Sequence, residues 1–313
     1  MEVEGGGVSK PAAVIACTGM ALFYVATLYA PTLIFRLPPP YSFKEFMIRR
    51  FVCAAVSSVV SVVVCALILP IRSWEASTLL SIYGIRRDHI WQAVMFPLAL
   101  TSLMYAGSMT LNFLLWLDSW KEDSDSGGCF SFRCFSDALK AFIERIRSRA
   151  SNVLFWRNLV VAPLTEELVF RACMISLLAC GGFQKYSIIV MFPILFSLAH
   201  LNHFMEVYFQ QNRNLLKASM IIGLQLSYTV VFGSYASFLL MRTGHLLSPW
   251  AAHVFCNYMG LPMLFSQRKG IVSLAFVAGA VGFLWFLFPL TRPDFYNART
   301  NNCRCWQGHC SWN

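Results

Sequence analysis

Apolar residues run along this chain in long blocks separated by short polar connectors. A membrane-crossing helix needs about 20 mostly apolar residues. Residues 12–35, 51–71, 90–117, 153–180, 186–201, 215–240, 246–265 and 271–290 answer that description and predict about eight transmembrane helices. The connectors include "RLPPPYSFKEFMIRR", "RSWEASTLLSIYGIRRDH" and the long stretch 118–152. This last one opens "DSWKEDSDSGG", a composition that predicts disorder. It continues "FSDALKAFIERIRSR", an amphipathic pattern with basic positions suited to a helix lying on the membrane surface. The first block follows an acidic, Gly-rich start. A cleavable signal needs a basic lead and a short apolar core, so this block reads as a retained span. No internal repeat stands out.

Composition sharpens this picture. Of 313 residues, 57% are hydrophobic and 13% charged, against about 25% charged in an average soluble domain. Mean hydropathy is +0.58. The fold class is therefore all-α: a polytopic membrane protein whose helices enclose a polar cavity and whose constant partner is membrane lipid. The net charge of +10 fits juxtamembrane Lys and Arg. No basic run is interleaved with aromatics as a nucleic-acid groove requires, so nucleic acid is not a partner. Basic residues flank both ends of several spans and leave orientation open. Of the 11 cysteines, Cys17, Cys53, Cys65, Cys173, Cys180 and Cys256 fall inside apolar blocks, where Cys acts as a small hydrophobe. Cys129, Cys134, Cys303, Cys305 and Cys310 lie in polar segments and form no paired metal motif.

The ionisable residues are unevenly placed. The first three blocks carry almost none and read as lipid-facing scaffold. The block 153–180 holds Glu166, Glu167 and Arg171; the next ends in "FSLAHLNHF" with His200 and His203; and "HLLSPWAAHVFCNYMG" contains His245, His253 and Asn257. The chain thus divides into an N-terminal transmembrane scaffold (1–117), a polar loop with the interfacial helix (118–152), a catalytic transmembrane core (153–290) and a Cys-containing polar tail (291–313). Three ionised side chains in one span would cost roughly 8–10 kcal/mol before pairing. Glu167 and Arg171, four apart, share a helix face and can neutralise each other. Glu166 points about 100° away and needs a partner from another helix. A carboxylate in low dielectric without a cation is driven toward accepting a proton, which is what a general base does. His200 and His253 are its natural partners. His253 and Asn257 share a face and could donate to a developing oxyanion. His203 and His245, near block ends, read as boundary residues. Together these groups suit amide hydrolysis by an activated water.

The three segments "EELVFR", "FSLAH" and "HVFCN" resemble, in order, the EExxxR, FxxxH and HxxxN motifs of the type II CAAX prenyl endopeptidases. These belong to a wider group of intramembrane proteases and bacteriocin-immunity proteins. The resemblance spans residues 153–262 and is specific because all three motifs are intact on separate apolar segments. It implies removal of the last three residues from prenylated CAAX proteins, such as Ras-like small GTPases carrying farnesyl or geranylgeranyl. It further implies an endoplasmic reticulum membrane location with the site open to the cytosol, and no metal or cofactor. Carried onto this chain, it makes Glu166 and His200 the water-activating pair and His253 and Asn257 the oxyanion donors, with Glu167 and Arg171 in support. Two other readings compete. Two Glu and two His could hold zinc with one position left for water, although no HExxH is present. Buried ionisable groups also mark transport pathways, although these come with repeats that are absent here.

Overall fold

Several helices begin where the sequence supplies a short polar cap ahead of an apolar block. Ser9 accepts from the Ala12 amide and Ser42 from that of Glu45, opening α1 (Lys10–Thr27) and α2 (Phe43–Ile68). The computed structural model describes residues 8–71, 76–125, 144, 147–149, 151–262 and 269–297. Every longer element among them is helical. After α2 come α3 (Ile90–Met104) and α4 (Ala106–Asp125). Residues 153–180 form the site helix, α5, assembled from alternating α and π turns. Further along are α6 (Lys185–Leu198), α7 (Phe204–Gln210), α8 (Leu215–Thr243), α9 (Leu247–Met259) and α10 (Lys269–Leu290), and short helical pieces at Ala30–Leu33 and Ala76–Ile82 complete the N-terminal part.

Among the described residues, by length and apolarity alone, four helices can cross a membrane: α1, α2, α8 and residues 270–290 of α10. The number rises to six if two bent pairs each count as one span. These are α3 with residues 106–118, bent by 78°, and residues 185–201 with α7, bent by 47°. The expected count of about eight is not confirmed on these grounds. The block 153–180 is helical throughout but cut by π turns at Arg157–Val161 and Glu167–Cys173. In the described part of the block 246–265, up to residue 262, the helix is the 13-residue α9, which stops at Gly260, where φ is 72°. Left-handed backbone of that kind ends a helix and favours glycine.

The break between α3 and α4 falls at Tyr105, whose hydroxyl donates to the Gly260 carbonyl at 2.8 Å. The helix α4 runs on through Asp125, so the disorder expected from Asp118 onward does not begin there. Trp, Lys and Glu in that stretch are adequate helix formers. The expected interfacial helix at 135–149 lies mostly outside the described residues, as do Cys129, Cys134, Cys303, Cys305 and Cys310.

One core cluster joins α1, α2, α5 and α6 through residues such as Cys17, Tyr24, Ala54, Cys65, Phe170, Leu177 and Phe196. The helices α6 and α8 pack along each other, α9 lies against α3 and α8, and α10 covers α3 and α4. Outward faces carry large apolar side chains: Leu67, Val231, Leu284 and Trp285 are 67–75% exposed. Buried polar groups sit inside, among them Ser57, Thr165, Glu167, Arg171 and Thr229. An apolar outside around a polar inside is the arrangement a lipid solvent selects.

Candidate active site

The site helix α5 carries both glutamates at a change of winding. Ala162–Glu166 is α-helical and Glu167–Cys173 is π-helical. A π turn inserts a residue, which re-aims everything after it, and such turns recur at functional sites. Despite the wider turn, Glu167 and Arg171 still meet at 3.2 Å, and both side chains are 1% exposed. The Arg171 guanidinium also lies over two aromatic faces, 4.1 Å from the centre of the Phe196 ring and 5.8 Å from that of Phe232. A desolvated cation gains from such faces. Gly233 on α8 leaves the room: a Cβ there would stand 3.3 Å from the Arg171 Nη2 and 2.9 Å from the Pro193 Cβ.

His253 joins this pair from α9. Its Nδ1 is 2.7 Å from the Glu167 Oε1, and its Nε2 is 3.9 Å from the Glu166 Oε2. A carboxylate can only accept, so the Nδ1 carries the proton and the Nε2 faces Glu166. The sequence grouped Glu167 with Arg171 and His253 with Asn257. In the structure one imidazole bridges the two adjacent carboxylates, and Glu167 answers to a cation on its own helix and a histidine on another.

His200 is the second residue of the Ala199–His203 turn of 3₁₀ helix that follows α6. Its Nδ1 donates to the Phe196 carbonyl at 3.1 Å. In the neutral ring this leaves the Nε2 as an acceptor for another proton. Asn257, one turn beyond His253, donates through its Nδ2 to the carbonyl of Asn158 at 2.8 Å. That carbonyl belongs to the first π turn of α5. One amide N–H of Asn257 is thereby used for positioning and the second is left over.

Glu166, His200, His253 and Asn257 all line one cavity of about 280 Å³, together with Arg157, Gln225, Tyr228 and Thr229. Glu166 and His200 share its wall without a direct hydrogen bond between them. Glu167 and Arg171 lie behind it, buried. Two expectations need correction. His245 is fully buried, with its Nδ1 accepting from the Leu247 amide, so it is a packed turn residue rather than one at a membrane boundary. The N-terminal helices are more than scaffold: Tyr24 of α1 and Arg50 of α2 line a second cavity beside Glu166, and the Tyr24 hydroxyl lies 2.9 Å from that of Thr165. His203, half-buried, is paired with Glu206 at 3.4 Å.

Sequence reasoning passed over Arg157, Asn158, Arg50 and Tyr24. For the first two the signal was present: they are polar residues inside a predicted span. Arg50 stands immediately before one, and nothing in the sequence marks Tyr24. Among the described residues, no three His, Cys, Asp or Glu side chains are grouped as a metal would require.

Comparison with known proteins places these residues in context. The family model described as type II CAAX prenyl endopeptidase Rce1-like matches residues 148–259. The CAAX prenyl protease 2 of Arabidopsis thaliana is 57% identical over 313 residues, the full length of both chains. That of Homo sapiens is 32% identical over 306 residues, covering 94% of this chain and 85% of the human one. That of Caenorhabditis elegans is 32% identical over 255 residues, 78% and 84% of the two chains. No solved structure matches the chain.

Proposed function

The chain belongs to the Rce1-like type II CAAX prenyl endopeptidases, and we propose that it releases the C-terminal tripeptide of prenylated CAAX proteins with a water activated by Glu166 and His200. The observation that carries this mechanism is the convergence of Glu166, His200, His253 and Asn257 on one cavity. The Glu166 carboxylate takes a proton from water as the oxygen attacks the carbonyl of the prenylated Cys. The His200 Nε2 orients that water. Negative charge then grows on the carbonyl oxygen, where the free N–H of Asn257 donates, and where His253 donates through Nε2 when, between the two carboxylates, it holds a second ring proton as an imidazolium. The Glu166 carboxylic acid returns its proton to the leaving amine, and the peptide bond breaks. Glu167 holds the His253 ring through its Nδ1, while Arg171 pairs with Glu167 and holds it in place.

The substrate class suits a site reached from lipid. A prenyl chain partitions into the bilayer at about 0.8 kcal/mol per buried CH₂, so the peptide is delivered to the helices at membrane depth. Prenylated CAAX-terminated proteins carrying farnesyl or geranylgeranyl are the proposed partners. The endoplasmic reticulum membrane is the proposed location, with the site open to the cytosol where such proteins are made. The test is release of the tripeptide from a farnesylated CAAX peptide by membranes holding wild-type or Glu166→Ala protein. Wild type is expected to cleave and the variant to be near inactive. Equal rates, at equal amounts of folded protein, would remove Glu166 from the mechanism.

A further inference from the structure

A second cavity adjoins the first through a shared wall that includes Arg157, Glu166, Phe196 and His200. It lies between α1, α2 and α5, encloses about 100 Å³, and has two guanidinium groups on its lining, from Arg50 and Arg157. Both side chains are half-buried. Neither has a carboxylate within ion-pair distance among the described residues. Glu206, on the neighbouring α7, is 60% exposed and engaged with His203. The rest of the lining is mainly apolar and aromatic, with Tyr24, Leu28, Phe51 and Phe170. Two half-buried like charges facing one small space repel each other, and poor solvation worsens this. An anion entering that space would relieve both costs.

The substrate of the proposed reaction brings such an anion. Cleavage after the prenylated Cys leaves three residues beyond the scissile bond, and these end in a free carboxylate. An extended tripeptide reaches about 10 Å. With the scissile carbonyl beside Glu166, the space on the other side of the Glu166 wall is within that reach. A cavity of this size has room for several waters, and hence for a carboxylate and a short aliphatic side chain. Arg is the residue best shaped to grip a carboxylate with paired N–H groups.

We propose that Arg157 and Arg50 receive the C-terminal carboxylate of the substrate and so set the cut three residues from the chain end. This inference rests on the endopeptidase reading above. It makes the two arginines specificity residues that measure the distance from the chain terminus to Glu166. The apolar part of the cavity takes an aliphatic side chain of the departing tripeptide.

The test uses the purified full chain and three farnesylated peptides: one with a free terminal carboxylate, one ending in an amide, and one extended by a residue. The wild type is expected to favour the free acid over the amide by about 10- to 100-fold in kcat/KM, mostly through KM. The extended peptide is expected to be as poor as the amide. In Arg157→Gln, and separately in Arg50→Gln, the acid-to-amide ratio is expected to fall toward one. Because the ratio is taken within each protein, a loss of folded enzyme does not alter it. Equal cleavage of acid and amide by the wild type would overturn the proposal and leave the arginines to another anion, such as a lipid phosphate. Variants that slow both peptides in proportion would overturn it too, since that is how a structural role behaves. If the wild type cleaves none of the peptides, the endopeptidase reading itself fails and takes this inference with it.

Discussion

The Nδ1 of His253 lies 2.7 Å from the Oε1 of Glu167, across 86 residues of sequence. This bond ties α9 to α5 and fixes which ring nitrogen faces the cavity. It also gives Glu167 a second partner besides Arg171, which makes the buried pair asymmetric. Removing Arg171 leaves Glu167 with His253. Removing Glu167 leaves Arg171 with only the ring faces of Phe196 and Phe232.

Thermal unfolding in detergent should reveal that asymmetry. Glu167→Leu is expected to destabilise by about 3–5 kcal/mol, the usual cost of leaving a buried charge alone. Arg171→Met is expected to cost less. The double variant should recover much of the loss seen in Glu167→Leu, because an apolar pair of similar volume strands nothing. If the double variant equals the sum of the singles, the two side chains are not coupled.

Glu166 is a different case. Its side chain is 18% exposed and its nearest ring nitrogen is 3.9 Å away, so little stability depends on it. Glu166→Gln keeps the volume and cannot take a proton. It is expected to lose about 10²- to 10⁴-fold in kcat with a melting temperature close to wild type. Near wild-type turnover would place the base elsewhere.

Asn257 donates once to the Asn158 carbonyl and has one N–H left for the reaction. Asn257→Ala is expected to lower kcat by about 10²- to 10³-fold. Asn257→Asp should be at least as damaging, since it exchanges a donor for a carboxylate in a cavity where negative charge develops. A more active Asp variant would argue against an oxyanion role.

Base and donors in this mechanism are all side chains. Activity is therefore expected to survive exhaustive dialysis against a strong chelator, measured by tripeptide release. Loss of activity that Zn²⁺ restores would shift the mechanism to a metal-bound water.

Gly233 offers a test of packing behind the site. In Gly233→Ala the added methyl would stand 2.9 Å from the rigid Pro193 ring and 3.3 Å from Arg171. Overpacking costs about 1–3 kcal/mol, while Ala gains about 0.5–1 kcal/mol over Gly in a helix. A net loss of about 1–2 kcal/mol is expected on thermal unfolding. A stabilised variant would show that α6 and α8 can move apart there.

Much about this protein is decided by local composition. Long apolar blocks must become helices in lipid, because each backbone group has to be satisfied within its own segment. The cost of polar and charged groups in hydrocarbon singles out Glu166, Glu167, Arg171, His200, His253 and Asn257 from the apolar blocks around them. The i, i+4 spacing alone foretells the contact between Glu167 and Arg171. Other features depend on how each helix is rotated and where it breaks, which helical periodicity does not specify. The π turns of α5 re-aim its side chains, and the chain bends between α3 and α4 at Tyr105. Only the packed bundle hands His253 to Glu167 rather than to Asn257, turns Asn257 onto the Asn158 carbonyl and buries His245. It also brings Tyr24 and Arg50 from the apparently inert N-terminal helices to the wall beside Glu166. Contacts between segments far apart in sequence are set by shape and register across the whole core, and no window of neighbouring residues contains that information.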